Sequence, residues 1–427
     1  MHTRRTLKSV LIWSIISAAF IGPGTVTTAV SAGSLFQLNL LWAVVFATVA
    51  CIALQEVAAR ITIATGLNFG QALVQRFGIQ RGRYLRWFIG GSVIGGCAAY
   101  EAGNIVGAVA GIQLMSGLGV PLLAFAITLL SAVVLWKNNP AWISTLMTLL
   151  VALMGVAFFA LAVTRPVHAA DVFRSAVIPS IPLGSEMTIL GLIGTTVVPY
   201  NIFLGSGISK GQTVSLMRIG LSLSVVIGGL ITAAILIAGT LTTNFISFQG
   251  LHADIEARLG WIGALAFTLG LFGAGFSSAI TSPYAASMIV KTVFEERRES
   301  VARTVWAAVL FIGFVVGASG LKPVPVILLV QALNGLLLPF LTIFLMIVAN
   351  DPKIMPPSFR TGVVYNLLLL AMLFGITMIS LNNIDKTLTT TLGLPAGMHL
   401  TFVIVIASLI TLVTAVSIFR TGSLDNR

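Results

Sequence analysis

The side chains best placed for chemistry in this chain are one acid inside an apolar stretch and the polar residues at two interruptions of apolar sequence. Glu101 lies mid-way along the stretch 84–113, in Cys97-Ala98-Ala99-Tyr100-Glu101-Ala102-Gly103-Asn104, with no basic residue nearby in sequence. A carboxyl group at membrane depth is costly to keep charged and is a functional site by default, which suits reversible protonation. The competing reading is a neutral acid hydrogen-bonded to a neighbouring helix. The interruptions are Gly22-Pro23-Gly24-Thr25 and Val197-Val198-Pro199-Tyr200-Asn201. Proline and glycine there cut a helix where no water replaces the lost bonds. Each cut frees carbonyls at the end of one half-helix and amides at the start of the next. Gly22 and Thr25 at the first break, and Thr195, Val198, Tyr200 and Asn201 at the second, are therefore candidate substrate-binding residues. Ser277, Ser278 and Thr281 in a later apolar stretch, with Gln331 and Asn334 in another, are further lining candidates, although such residues also serve simply to pack helices.

This chemistry is binding, not catalysis. There is no HExxH, CxxC, phosphate-binding glycine loop or GxSxG in a suitable setting. The four histidines, His2, His168, His252 and His399, all lie in loops, at the terminus or at a helix end. No enzyme, resident metal or cofactor is expected. No carbonyl-rich repeat resembling a channel filter is present either.

The elements that must position these residues are membrane spans. Hydrophobic residues make up 57% of the 427 and charged residues only 8%, far from the roughly 25% of a soluble domain. Windows of about 20 apolar residues give twelve spans, near 9–33, 38–62, 84–113, 120–137, 140–164, 187–209, 216–241, 261–293, 304–319, 324–349, 362–382 and 398–419. The run after Arg4, Arg5 and Lys8 is too long for a signal peptide and is kept as the first span. The net charge of +12 lies between apolar runs and reads as topology, not nucleic-acid binding. With the N-terminus inside, only Arg165, Arg174, Arg258, Lys322 and Lys386 of the 24 lysines and arginines fall outside. Both termini are therefore expected in the cytoplasm.

The two breaks are five spans apart, so the second copy is inverted relative to the first. The expected fold is all-α: five plus five helices with two appended, and spans one and six broken at the midplane. One polytopic domain is expected, with repeats at 1–164 and 187–349 and the extra helices at 362–419. Residues 69–82 read as a short cytoplasmic connection, and 242–260, with His252, Asp254, Glu256 and Arg258, as an ordinary solvated loop. Cys51 and Cys97 read as reduced packing thiols. Glu56 reads as an i,i+4 ion-pair partner of Arg60.

These stretches resemble the natural resistance-associated macrophage protein (NRAMP) family of proton-coupled divalent-metal transporters, which have a leucine-transporter-like fold. The resemblance is carried by Gly22-Pro23-Gly24-Thr25, Leu54-Gln55-Glu56-Val57-Ala58-Ala59-Arg60, Gly194-Thr195-Thr196-Val197-Val198-Pro199-Tyr200-Asn201, Gly275-Phe276-Ser277-Ser278-Ala279-Ile280-Thr281 and Leu338-Pro339-Phe340. The departures fall on the family's metal ligands. Its first-break aspartate and asparagine are matched by Gly22 and Thr25. Its Ala-x-x-Met-Pro-His is matched by Thr195, Val198, Pro199 and Tyr200. A further histidine is matched by Gly205, and an Asp-x-x-Glu pair survives as Ala98 and Glu101. Without that carboxylate and thioether, tight manganese or iron binding is not expected.

The resemblance implies a secondary transporter working by alternating access in a lipid bilayer, as a monomer in the plasma membrane, with Glu101 the candidate carrier of a coupling proton. For the cargo, the missing ligands favour an anion or small organic solute held by half-helix amides. The alternative is a proton-coupled divalent metal cation, as in the family at large. A non-transporting receptor or scaffold is the third class, and no attached signalling domain supports it.

Overall fold

The computed structural model describes residues 2–423 apart from 138, 244, 295, 297, 336 and 393–399; for 2–8, 79, 332–335, 383–392, 400 and 420–423 it describes the backbone alone. The side chains of Asn334, Lys386, Arg4, Arg5, Lys8 and His2, and residue His399, lie outside the described residues.

Proline and glycine set where the helices begin and end. The first span is cut into α1 (His2–Phe20) and α2 (Pro23–Phe36). It is followed by α3 (Leu41–Thr65), the short α4 (Phe69–Phe77), α5 (Ile79–Ser116), α6 (Val120–Trp136) and α7 (Pro140–Val163). After α8 (Ala169–Val177), the sixth span is cut into α9 (Glu186–Thr196) and α10 (Pro199–Ile208). Then come α11 (Val214–Gly239), α12 (Phe248–Thr292), α13 (Glu299–Ala318), α14 (Pro323–Gly335), α15 (Leu338–Ala349), α16 (Val363–Leu392) and α17 (Leu400–Ser423). No strand occurs among the described residues. Prolines open α2, α7, α10 and α14, where the missing N–H would have no partner anyway. Counting α1 with α2, α9 with α10 and α14 with α15 as single spans, and leaving out the nine-residue α4 and α8, the described helices account for the twelve expected.

One segment, 242–260, differs from the sequence expectation, and two others are filled in. Within the tenth span, α14 is described to Gly335 and α15 from Leu338, with Pro339 in its first turn and Leu337 helical (φ −82°, ψ −22°); residue 336 lies outside the described residues. The segment 242–260 is not an open loop. Phe248 begins a helix that turns at Gly260, whose φ of +70° is left-handed, before the span proper. The connection 69–82 holds α4, started by a reciprocal capping box between Asn68 and Gln71.

Helices lie close where glycines let backbones touch. A Cβ on Gly239 of α11 would sit 2.6 Å from the Val30 carbonyl oxygen of α2, and one on Gly111 of α5 would sit 2.7 Å from the Phe272 amide of α12. These crossings hold α2 and α5 in place, and both carry site residues. A side chain forced in there overpacks the crossing, at a cost of about 1–3 kcal/mol. Gly239→Val is expected to lower the melting temperature of the purified protein by several degrees. Gly91→Ala, with nothing within 4 Å of the added methyl, is expected to leave it unchanged or slightly higher.

Candidate functional site

At the first break, Gly22 is extended (φ −101°, ψ −175°) and α2 starts without a side-chain cap. At the second, Val198 is extended (φ −82°, ψ 129°) and α10 also starts uncapped. The breaks are tied together by Tyr200, whose hydroxyl donates 3.0 Å to the Ala19 carbonyl in the last turn of α1.

The end of α1 would leave carbonyls bare in an apolar interior, and hydroxyls from three elements cover them. Thr25 Oγ1 donates to the Phe20 carbonyl. Ser277 and Ser278 of α12 donate to the Ala18 carbonyl at 3.4 and 3.3 Å. Thr27 and Thr28 bond back to Pro23 and Gly24 in their own helix, so they contribute nothing to the break. Thr195 likewise donates to Leu192 of its own helix, and Thr281 to Ser278 of its own.

Three helices close around Gly22 and Gly24. A Cβ on Gly22 would lie 2.7 Å from Ser278 Oγ and 3.6 Å from Asn104 Oδ1. The Gln331 amide of α14 packs directly on Gly24, and its Oε1 accepts a 2.9 Å bond from Tyr100 of α5. The Tyr100 and Tyr200 rings meet edge to face with centroids 5.5 Å apart. Of the residues singled out in the sequence, the structure thus gathers Gly22, Thr25, Tyr200, Ser277, Ser278 and Gln331, with Thr281 in hydrogen-bonding reach of Tyr200. Val198 is buried in the second break, and Asn201, on the first turn of α10, is fully buried with both amide atoms unpartnered among the described residues. Beside Gly205 the space is filled by the Gln55 side chain.

Glu101 is fully buried. Its Oε2 accepts a 3.4 Å bond from Asn104 Nδ2, and its Oε1 has no partner among the described residues. Asn104 is the contact that the sequence did not single out: an asparagine inside a span reads as packing, and only the fold shows it between Glu101 and the first break.

A cavity of about 340 Å³ opens where α2 ends and α9 and α14 begin, lined by Thr28, Ser31, Met187, Thr188, Gly191 and Leu328 among others. Gly194 and Gln331 also line it, and Gln331 is the lining residue that packs on Gly24 of the first break. Elsewhere, Glu56 does pair with Arg60 at 3.3 Å, but its shorter contact is a two-pronged bond from Arg218 of α11 at 2.8 and 2.9 Å. No group of three or more His, Cys, Asp or Glu able to hold a metal occurs among the described residues. The site is instead a set of neutral oxygens with one acid behind it.

The family model described as natural resistance-associated macrophage protein-like (Nramp) matches residues 14–386. Among curated proteins, the chain is similar to the "Divalent metal cation transporter MntH" of Caldanaerobacter subterraneus subsp. tengcongensis, 27% identical over 361 residues, 80% of this chain and 84% of that one. It is 23% identical to the protein of the same description from Erwinia tasmaniensis, over 86% and 92% of the two chains. Among solved structures, the Eremococcus coleocola manganese transporter, in complex with an aromatic bis-isothiourea substituted compound, superposes with a TM-score of 0.77 at 20% identity, covering 97% of this chain and 94% of that one. Mhp1, a nucleobase-cation-symport-1 family transporter, gives 0.54 at 16% identity, over 96% and 93%. The fold is the leucine-transporter-like inverted repeat with two added helices.

Tyr200→Phe deletes the hydroxyl that joins the two breaks and leaves the Ala19 carbonyl buried without that donor. The expected cost is about 1–3 kcal/mol, read as a lower melting temperature of purified protein with its helix content retained.

Proposed function

The chain belongs to the natural resistance-associated macrophage protein-like family, and from that premise we propose that this secondary transporter carries a divalent cation of the hard, oxygen-preferring kind, held between the two breaks. The observation that carries the reading is the direction of the hydroxyl protons. Thr25, Tyr100, Tyr200, Ser277 and Ser278 all donate to protein oxygens. What they have left for a substrate is lone pairs. Carbonyls, hydroxyls and carboxamides without sulfur suit magnesium, calcium or manganese better than softer metals. The relatives named as divalent metal cation transporters support the same class.

Gly22, Thr25, Thr195, Val198, Tyr200 and Asn201 form the binding region in this proposal, with Thr195 contributing backbone because its hydroxyl is spent within α9. Ser278 and Gln331 line it, and the cavity above Gln331 is the entry path. Glu101 is the proton carrier: a cation arriving at the breaks favours an ionised carboxyl one amide away, which links cargo entry to proton release. Repeats at 1–164 and 187–349 rock against each other, and the protein works as a monomer in the plasma membrane with both termini inside.

A second reading, an anion or small organic solute, is favoured by one observation. The amide ends of α2 and α10 both lack side-chain caps, and such ends attract negative groups.

Purified protein in liposomes separates the two. The expected result is saturable uptake of Mn²⁺, Mg²⁺ or Ca²⁺ at elevated concentration, with the cations competing among themselves and a panel of carboxylates and amino acids without effect. Saturable uptake of one of those solutes, indifferent to divalent cations, establishes the second reading instead. Glu101→Gln is expected to fold, to exchange cargo down its gradient and to lose accumulation driven by a pH gradient. Unchanged accumulation in that variant removes Glu101 from coupling.

A further inference from the structure

We infer that Asn104 Oδ1 is a direct ligand of the cargo at the first break, and that Glu101 is the residue that aims it. The inference rests on the proposal that the cargo lies between the breaks, and adds to it a ligand and the device that orients that ligand.

Glu101 is fixed first. Its stem packs against α13 so tightly that a Cβ on Gly313 would sit 2.6 Å from Glu101 Cγ. Glu101 Oε2 accepts a 3.4 Å hydrogen bond from Asn104 Nδ2 one turn along. A carboxamide carries its nitrogen and oxygen on opposite branches of one plane. Pinning Nδ2 toward Glu101 therefore turns Oδ1 away from it. Oδ1 is 3.6 Å from the point where a side chain on Gly22 would begin, and it accepts no hydrogen bond among the described residues.

The absence of a side chain at Gly22 gives that oxygen its access. Ser278 Oγ, 2.7 Å from the same point, has its proton directed to Ala18. Two oxygens with free lone pairs, from α5 and α12, thus converge on the uncovered backbone of the first break. An oxygen placed by a second residue holds its geometry before the cargo arrives, so less ordering is left to be done on binding. Glu101 is a positioning residue in this arrangement, and either a carboxylate or a carboxamide oxygen at that place can accept the Asn104 proton.

The test uses the full chain in detergent with Mn²⁺ alone as probe, binding being read from loss of the free-ion paramagnetic resonance signal. Asn104→Leu is expected to weaken binding about tenfold or more, the scale of a lost polar ligand. Asn104→Asp is expected to tighten it by a similar factor, an outcome that misfolding cannot imitate. Glu101→Leu should match Asn104→Leu, the double variant should be no weaker than either single one, and Glu101→Gln, which keeps the acceptor and loses only the charge, should be weakened clearly less than Glu101→Leu. Asn201→Leu serves as the reference for the breaks themselves. If Asn201→Leu abolishes binding while Asn104→Leu leaves it intact, Asn104 is no ligand and the site between the breaks stands. If neither changes it, or the parent chain takes up no Mn²⁺, the cation site between the breaks falls and this inference with it. Glu101→Gln as weak as Glu101→Leu overturns the aiming role.

Discussion

A helix cut inside an apolar interior must find partners for its own backbone, and the rest of this site follows from how the end of α1 meets that demand. Unpaired carbonyls there cost several kcal/mol each in the absence of water. Thr25 reaches back across the break, Ser277 and Ser278 reach in from α12, and Tyr200 reaches over from the other broken span. Each bond stabilises the break and also spends a proton. The lining is left rich in acceptors as a consequence of holding the backbone together. The hydroxyls that hold the architecture are thus the ones the proposed cargo would meet.

The same constraint explains the neighbourhood of Gly22. With no side chain there, α5 and α12 approach the backbone directly, and Ser278 and Asn104 stand where a side chain would have been. The site has neutral oxygens near the break and its one acid a step behind, bonded to Asn104. In the proposed reading, a divalent ion at the break meets less fixed negative charge than an aspartate would supply, which favours weaker binding of harder cations. Gln331, packed on Gly24 and bonded to Tyr100, also lines the neighbouring cavity.

Much of this was legible in the sequence, for identifiable reasons. Proline and glycine inside an apolar run have few tolerated structures at membrane depth, so both breaks could be placed within a residue or two. Glu101 stood out because a lone acid in a span is rare. Hydroxyl directions were beyond reach: Thr25 and Thr195 look alike in sequence, yet one bridges a break and the other bonds its own helix. The Glu56–Arg218 contact joins residues 162 positions apart, so only the local Arg60 partner could be read. Asn104 carried one local signal, its i,i+3 spacing from Glu101, but its approach to the first break depends on where that break lies.

The central claim is that a hard cation sits between the two breaks on neutral oxygens. Anomalous X-ray scattering from crystals of the protein soaked in Mn²⁺ locates such an ion without assumptions about transport. The account requires one interior peak between Gly22 and Val198, at oxygen-ligand distance from Asn104 Oδ1. An interior free of anomalous density at saturating Mn²⁺, with peaks only at surface carboxylates, would contradict it.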